Sequence, residues 1–252
     1  KDPDRWEPRN ALAAYQKLPY VNIVAGAGAD ELIDLIVRLS FNPGDTIINC
    51  PPTFGFYSTV AQVNNLELVN VERNSDFSIN LEGIKNAASK GAKGIFLANP
   101  NNPDGSILSH ENLDALLSLP ILVIIDEAYI EFAPGSSSQI KNVLAYDNLI
   151  VLRTFSKWGG LAGIRLGYGV FPEYYLNELM KIKQPYNVSL AAQEAGKGAL
   201  EDVEVLNNRL KLILAERSRL ISGLNQINWL RPYPTNSNFV LCKVLDKNAK
   251  DV

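Results

Sequence analysis

The chain has 252 residues, 46% of them hydrophobic and 20% charged, with a formal net charge of −3. That length supports a substantial core, and the composition is that of a globular chain rather than a disordered one. The slightly acidic balance argues against a nucleic-acid partner, and no apolar run approaches the ~20 residues that span a bilayer. With a single histidine, His110, a multi-histidine metal site has no ligand set, and a Ser-His-Asp triad would have to be built on one surface-looking residue at a helix start. Cys50 and Cys242 stand far apart in apolar, strand-like contexts and read as core residues in a reducing compartment.

In chain order, short apolar runs alternate with helical patterns. A strand over 21–26 leads into a helix over 29–40. Strands over 46–50 and 67–72 flank a helix over 56–65, and a helix over 80–89 precedes a strand over 94–100. A helix over 110–119, started by Ser109 or His110, is followed by strands over 121–129, 149–155 and 164–171. Most of these strands are continuously apolar, as expected where both faces are covered, and the alternation predicts an α/β fold with a mostly parallel, seven-stranded sheet flanked by helices. Past residue 200 the pattern changes to one long amphipathic helix over 201–226, then a strand over 239–244 that opens a second unit. The reading is a large domain over 14–200, with 1–13 and 201–252 forming an incomplete, partial α+β small domain. One strand and its helix cannot close a core, so the gene product is expected to continue beyond Val252.

In an open α/β sheet, ligands sit beyond the carboxyl ends of the strands, and four strand ends here carry unusual groups. "GAGADE" (26–31) is half of a dinucleotide fingerprint with Glu31 in place of the third glycine, too little to support a nucleotide-binding dehydrogenase. Its helix start still offers the amides of Ala29 and Asp30 to a phosphate. "NPNNPDG" (99–105) is a sharp turn containing Asn102. Asp126 closes a buried apolar run, which is costly unless a ligand cation or a protein arginine pairs with it, and Tyr129 follows three residues later. The glycine-rich stretch "RTFSKWGGLAGIRLGYG" (153–169) carries Lys157 and Arg165. Together these are the parts needed to hold pyridoxal 5'-phosphate: a lysine for a Schiff base, a carboxylate for the pyridine nitrogen, donors for the ring oxygen and the phosphate. The glycines then read as clearance for the cofactor.

"NPNNPDG", "DEAYIEF" and "TFSKWGGLAGIRLGYG", in this order and spacing, resemble a fold-type I aminotransferase, and within that superfamily the plant-like branch of the histidinol-phosphate aminotransferases. "GAGADELIDLI", "NPGDTIINCPPTFGFY", "NLIVLRTFSK", "KQPYNVS" and "NSNFVLC" extend the likeness over nearly the whole chain. The resemblance implies that Lys157 carries the cofactor and moves the proton, that Asp126 pairs with the pyridine nitrogen, and that Asn102 and Tyr129 bond the ring hydroxyl. It implies that Ser156, Arg165 and Thr154, with the amides of Ala29 and Asp30, hold the phosphate, while Phe54 stacks on the ring where many relatives have tyrosine. Lys157, Asp126 and Tyr129 are the catalytic residues on this reading, and no metal takes part. Trp158 and Tyr168 read as packing. The implied reaction moves an amino group from L-histidinol phosphate to 2-oxoglutarate, giving imidazole-acetol phosphate and L-glutamate. A homodimer in the cytoplasm, or in a plastid stroma for a photosynthetic eukaryote, is expected. Lys243 stands where many relatives carry a substrate-contacting arginine, and the late arginine that grips the substrate would lie beyond Val252. An aromatic-amino-acid aminotransferase, a threonine-phosphate decarboxylase and a non-catalytic cofactor-binding fragment remain alternatives.

Overall fold

The computed structural model of the chain describes residues 6–246 and 248–251, so residues 1–5 of the expected small domain lie outside the described residues. The sheet strands are β1 (Ile23–Gly26), β2 (Thr46–Asn49), β3 (Glu67–Asn70), β4 (Gly94–Ala98), β5 (Leu122–Asp126), β6 (Leu149–Thr154) and β7 (Gly167–Val170). They form a mixed sheet in the order β1-β7-β6-β5-β4-β2-β3. The five strands from β6 to β3 pair in parallel, whereas β7 is antiparallel to both β6 and β1.

Alternate residues of each central strand point to opposite faces, and both faces are dry. Val123, Ile125 and Val151 join α1 (Trp6–Gln16), α4 (Leu81–Ser89) and α5 (His110–Leu117) through Leu12, Ile84 and Leu113. Ile124, Ile150 and Leu152 pack on the other face with α2 (Ala29–Ser40), α3 (Phe56–Val63) and α6 (Glu173–Ile182) through Leu32, Tyr57 and Leu179. Each such buried aliphatic side chain contributes roughly 1.5–3 kcal/mol, which is why these strands tolerate no polar alternation. Ser109 caps α5, its hydroxyl accepting the Asn112 amide at 3.1 Å. No helix among the described residues is long and apolar enough to cross a membrane.

Three expectations are corrected and one helix is added. The long helix expected over 201–226 is α8 (Val203–Leu224), and a helix the sequence reading did not include, α7 (Leu190–Glu201), precedes it, the two separated at Asp202, whose ψ of 28° breaks the helical path. Ser189 starts α7, accepting the Ala192 amide at 3.1 Å, a cap that polar periodicity alone does not reveal. The second unit has two strands among the described residues, because β8 (Leu230–Pro232) pairs antiparallel with β9 (Cys242–Val244). A three-residue strand beside prolines carries too little pattern to be read. Cys50 is buried, but Cys242 is only half-buried in this hairpin. The strands expected over 121–129 and 164–171 are shorter. Tyr129 lies beyond β5 at the head of a 3-10 turn, and Arg165 precedes β7 with a left-handed φ of 57°.

Three of the five glycines of the 153–169 stretch have a different cause from the one read in sequence, whereas Gly160, with a φ of 66°, and Gly163 face open space. A Cβ on Gly167 would collide with the Ala29 amide nitrogen and come within 2.6 Å of the Gly28 carbonyl carbon. On Gly169 it would lie 2.5 Å from the Phe171 ring, and on Gly159 2.8 Å from the Phe155 carbonyl oxygen. These positions are small because protein packs against them. Gly167→Ala is expected to destabilise the chain by about 1–3 kcal/mol, since the obstructing atoms are backbone and cannot rotate away. Gly198→Ala, inside α7 with nothing within 4 Å of the new carbon, is expected to stabilise it by about 0.5–1 kcal/mol. Urea unfolding of the two variants checks both signs.

Candidate active site

Because β7 runs against its neighbours, its first residue lies at the same sheet edge as the last residues of β1 and β6, Gly167 facing Gly26 and Thr154. This edge collects the start of α2, the turns after β2 and β4, the end of β5, the loop after β6 and the segment entering β7. All ten residues singled out in the sequence line one cleft there: Ala29, Asp30, Phe54, Asn102, Asp126, Tyr129, Thr154, Ser156, Lys157 and Arg165. Ala98, Ala128 and Ala162 complete its wall, and sequence gave no sign of them because their contribution is lack of bulk.

Asp126 is 5% exposed. Its Oδ1 accepts the Ala128 amide at 3.0 Å and its Oδ2 accepts the Tyr57 hydroxyl at 2.9 Å. Burial pushes its carboxyl up to about 6, against the pull of the Tyr57 and Ala128 donors, and the charges of Asp30 and Glu127 add to the rise. Among the described residues it has no basic partner. The arginine considered for that role, Arg165, is paired elsewhere: its Nη2 donates to Asp30 Oδ2 at 2.6 Å. Both members of that pair are nearly half exposed, so it is worth about 0–1 kcal/mol and an incoming anion can displace it.

The anionic end of the cleft is built by close backbone approach. Gly28, with φ of 85°, precedes α2 and offers no capping side chain, so the first-turn amides of that helix have no cap to satisfy them. A side chain at Gly28 would start 2.7 Å from Arg165 Nη2. Glu31, the residue that breaks the dinucleotide fingerprint, anchors this loop: its Oε2 accepts the Ala27 amide and the Asn187 side chain, each at 2.6 Å. The Thr154 hydroxyl donates to Ser156 Oγ at 2.9 Å and accepts the Ser156 amide at 3.1 Å, fixing the turn that presents Lys157. Lys157 Nζ sits 5.2 Å from the centre of the Tyr129 ring. The Phe239 ring meets Tyr129 edge-on at 5.1 Å, bringing the segment after β8 to the cleft.

Motif residues alternate between facing the cleft and holding it. Next to Asp126, Glu127 is fully buried and accepts Arg153 Nε at 3.0 Å; Arg153 Nη2 donates to Ser138 Oγ at 2.7 Å and its Nη1 reaches Glu131 Oε1 at 3.4 Å. This network ties β6 to the chain after β5. Likewise Asn101, not Asn102, is spent on the turn: its Nδ2 donates to the Pro52 carbonyl at 3.0 Å and its Oδ1 accepts the Thr53 hydroxyl at 2.9 Å. Trp158 and Tyr168 are both buried, as expected of packing residues.

The sequence pattern described as "Aminotransferase class I and II" matches residues 4–252. The chain belongs to this family. Among its curated relatives, the histidinol-phosphate aminotransferase of Dehalococcoides mccartyi is 45% identical over 251 residues, covering 100% of this chain and 70% of the relative. The chloroplastic histidinol-phosphate aminotransferase of Nicotiana plumbaginifolia is 50% identical over 244 residues, covering 96% of this chain and 59% of the relative. The chain thus spans about six- to seven-tenths of these aminotransferases. The crystal structure of the Sinorhizobium meliloti histidinol-phosphate aminotransferase in complex with pyridoxal-5'-phosphate superposes with a TM-score of 0.92 at 30% identity, covering 99% of this chain and 68% of that one.

The cleft fits the cofactor of aminotransferases. A buried acid without a protein cation, a reachable lysine and a displaceable arginine at an uncapped helix start match a cationic ring nitrogen, a carbonyl and a phosphate in turn. Tyr57, which sequence reading missed, is the support of that acid; its one visible signal was its place three residues after Phe54. Since Asp126 keeps its proton more readily folded than unfolded, the cost of keeping it buried is small at pH 4, grows as pH rises toward 6 and levels off above it. For the ligand-free protein, the stability difference between Asp126→Asn and the parent is expected to shift in the variant's favour by on the order of 2 kcal/mol from pH 4 to pH 7. Denaturant titrations at the two pH values measure it.

Proposed function

We propose that the chain is the cofactor-binding portion of a pyridoxal-phosphate-dependent aminotransferase that takes the amino group of L-histidinol phosphate and passes it to 2-oxoglutarate. The observation that carries this is the convergence of Lys157, Asp126 and Arg165 on one cleft in a chain 45–50% identical to proteins named for that activity. Residues 14–200 would form the cofactor domain, with 201–252 and the start of the chain belonging to a smaller one.

Pyridoxal phosphate, when bound, supplies a carbonyl that exchanges between amines and an electron-accepting ring. Arg165, Ser156 and Thr154, with the amides of Ala29 and Asp30, would hold its phosphate. Asp126 would hold the positive charge at the ring nitrogen, and Asn102 and the Tyr129 hydroxyl would bond the ring oxygen. Phe54 would cover one face of the ring by stacking, without the hydroxyl that a tyrosine would add. Lys157 Nζ would anchor the cofactor and then, once freed, carry the proton from the substrate's α-carbon. Its position beside the Tyr129 ring, on a turn fixed by Thr154 and Ser156, supports that double duty. A homodimer is part of the proposal, as is a place in the cytoplasm or, as for the relative named chloroplastic, in a plastid.

Borohydride reduction of the protein loaded with pyridoxal phosphate is expected to fix the cofactor on the peptide carrying Lys157, and Lys157→Ala to abolish that label while the variant stays folded. A label on another peptide would sink the assignment. Steady-state turnover should favour L-histidinol phosphate over phenylalanine and threonine phosphate. Turnover of threonine phosphate with loss of carbon dioxide would replace the activity proposed, and labelling without turnover of any of the three would mark a binding fragment.

A further inference from the structure

Asp126 is the one cleft carboxylate that is fully buried, and Tyr57 is the side chain that meets it from within the protein. Tyr57 is 1% exposed in the first turn of α3. Its ring stacks on Phe96 of β4 at 5.3 Å and meets Phe54 edge-on at 5.5 Å, so the hydroxyl cannot swing away from Asp126 Oδ2. The Ala128 amide takes the other oxygen. Two donors on two oxygens fix the plane of the carboxylate, while each oxygen retains acceptor capacity for a ligand in the cleft.

We propose that Tyr57 is a positioning residue for the reaction, holding Asp126 ionised and aimed into the cleft, and that its ring sets Phe54 in the same movement. The inference rests on the cofactor reading above. Its chemistry follows from the opposition at Asp126. Burial drives that carboxyl up, and the Tyr57 hydroxyl is the largest influence pulling it back to about 6, where it is mostly ionised at neutral pH. A charge-receiving hydrogen bond of this kind is among the stronger ones a protein makes. Tyr57 is itself buried beside a negative charge, which pushes its hydroxyl well above its ordinary range and keeps it a donor at every working pH. A phenylalanine would fill the same space and lack only that donor, so the packing role and the positioning role can be separated.

The test uses Tyr57→Phe alone and with Asp126→Asn. In ligand-free protein labelled with 13C at the aspartate carboxyls, Tyr57→Phe is expected to move the Asp126 titration midpoint upward from about 6. At pH 7.5 it is expected to weaken pyridoxal phosphate binding about tenfold in the parent and less than twofold in the Asp126→Asn background. An unmoved midpoint, or the same loss in both backgrounds, would overturn the proposal and leave Tyr57 a packing residue. Pyridoxal phosphate affinity indifferent to Asp126→Asn would overturn instead the cofactor reading beneath it, even if the carboxyl titration moved.

Discussion

β7 lies between β1 and β6 and runs antiparallel to both, with Gly167 opposite Gly26 on one side and Thr154 on the other. In an all-parallel sheet the start of a strand lies far from the ends of its neighbours. Here the reversal puts the entry to β7 at the edge where β1, β4, β5 and β6 finish. Arg165 can therefore face the start of α2, and the missing Cβ of Gly167 lets that helix start sit directly on the strand. The helix start, the lysine loop and the arginine become one cleft because one strand is turned around.

The same edge carries two solutions to the cost of burying charge. Arg153 and Glu127 are buried together and satisfy each other, with Ser138 and Glu131 completing the network. Such a pair gains little net stability against an apolar substitute, yet it fixes the register of β6 against the chain beyond β5. One residue away, Asp126 is buried with neutral donors only, Tyr57 and the Ala128 amide. Its compensation is incomplete within the protein. A strand's twofold alternation separates these cases: consecutive residues point to opposite sides, so "DE" and "RT" each contribute one group that anchors and one that faces the cleft.

Much of this was legible in the chain. The apolar runs of the sheet's centre are strands covered on both faces, the edge strand β3 is largely exposed, and the ten residues marked at strand ends line the cleft. What stayed hidden depended on contacts between distant segments. Tyr57 looks like any aromatic at the start of a helix until Asp126, far along the chain, is placed against its hydroxyl. Asp202 looks like one more polar residue in a long amphipathic stretch, although it ends one helix and begins another. Leu230–Pro232 looks like a loop until Cys242–Val244 pairs with it.

By itself the sequence determined the α/β class, the succession of strands and helices along the chain, the family and the set of chemical groups at the strand ends. Those follow from local rules: apolar runs bury, turn residues punctuate, and a lysine, an acid and an arginine at set spacings limit the chemistry. Only the tertiary structure decided what each group is paired with. It gave Arg165 to Asp30, Arg153 to Glu127, Tyr57 to Asp126, and assigned Gly159, Gly167 and Gly169 to packing. Pairing and clearance are set by the distance between segments remote in the chain, and no spacing along the chain encodes that distance.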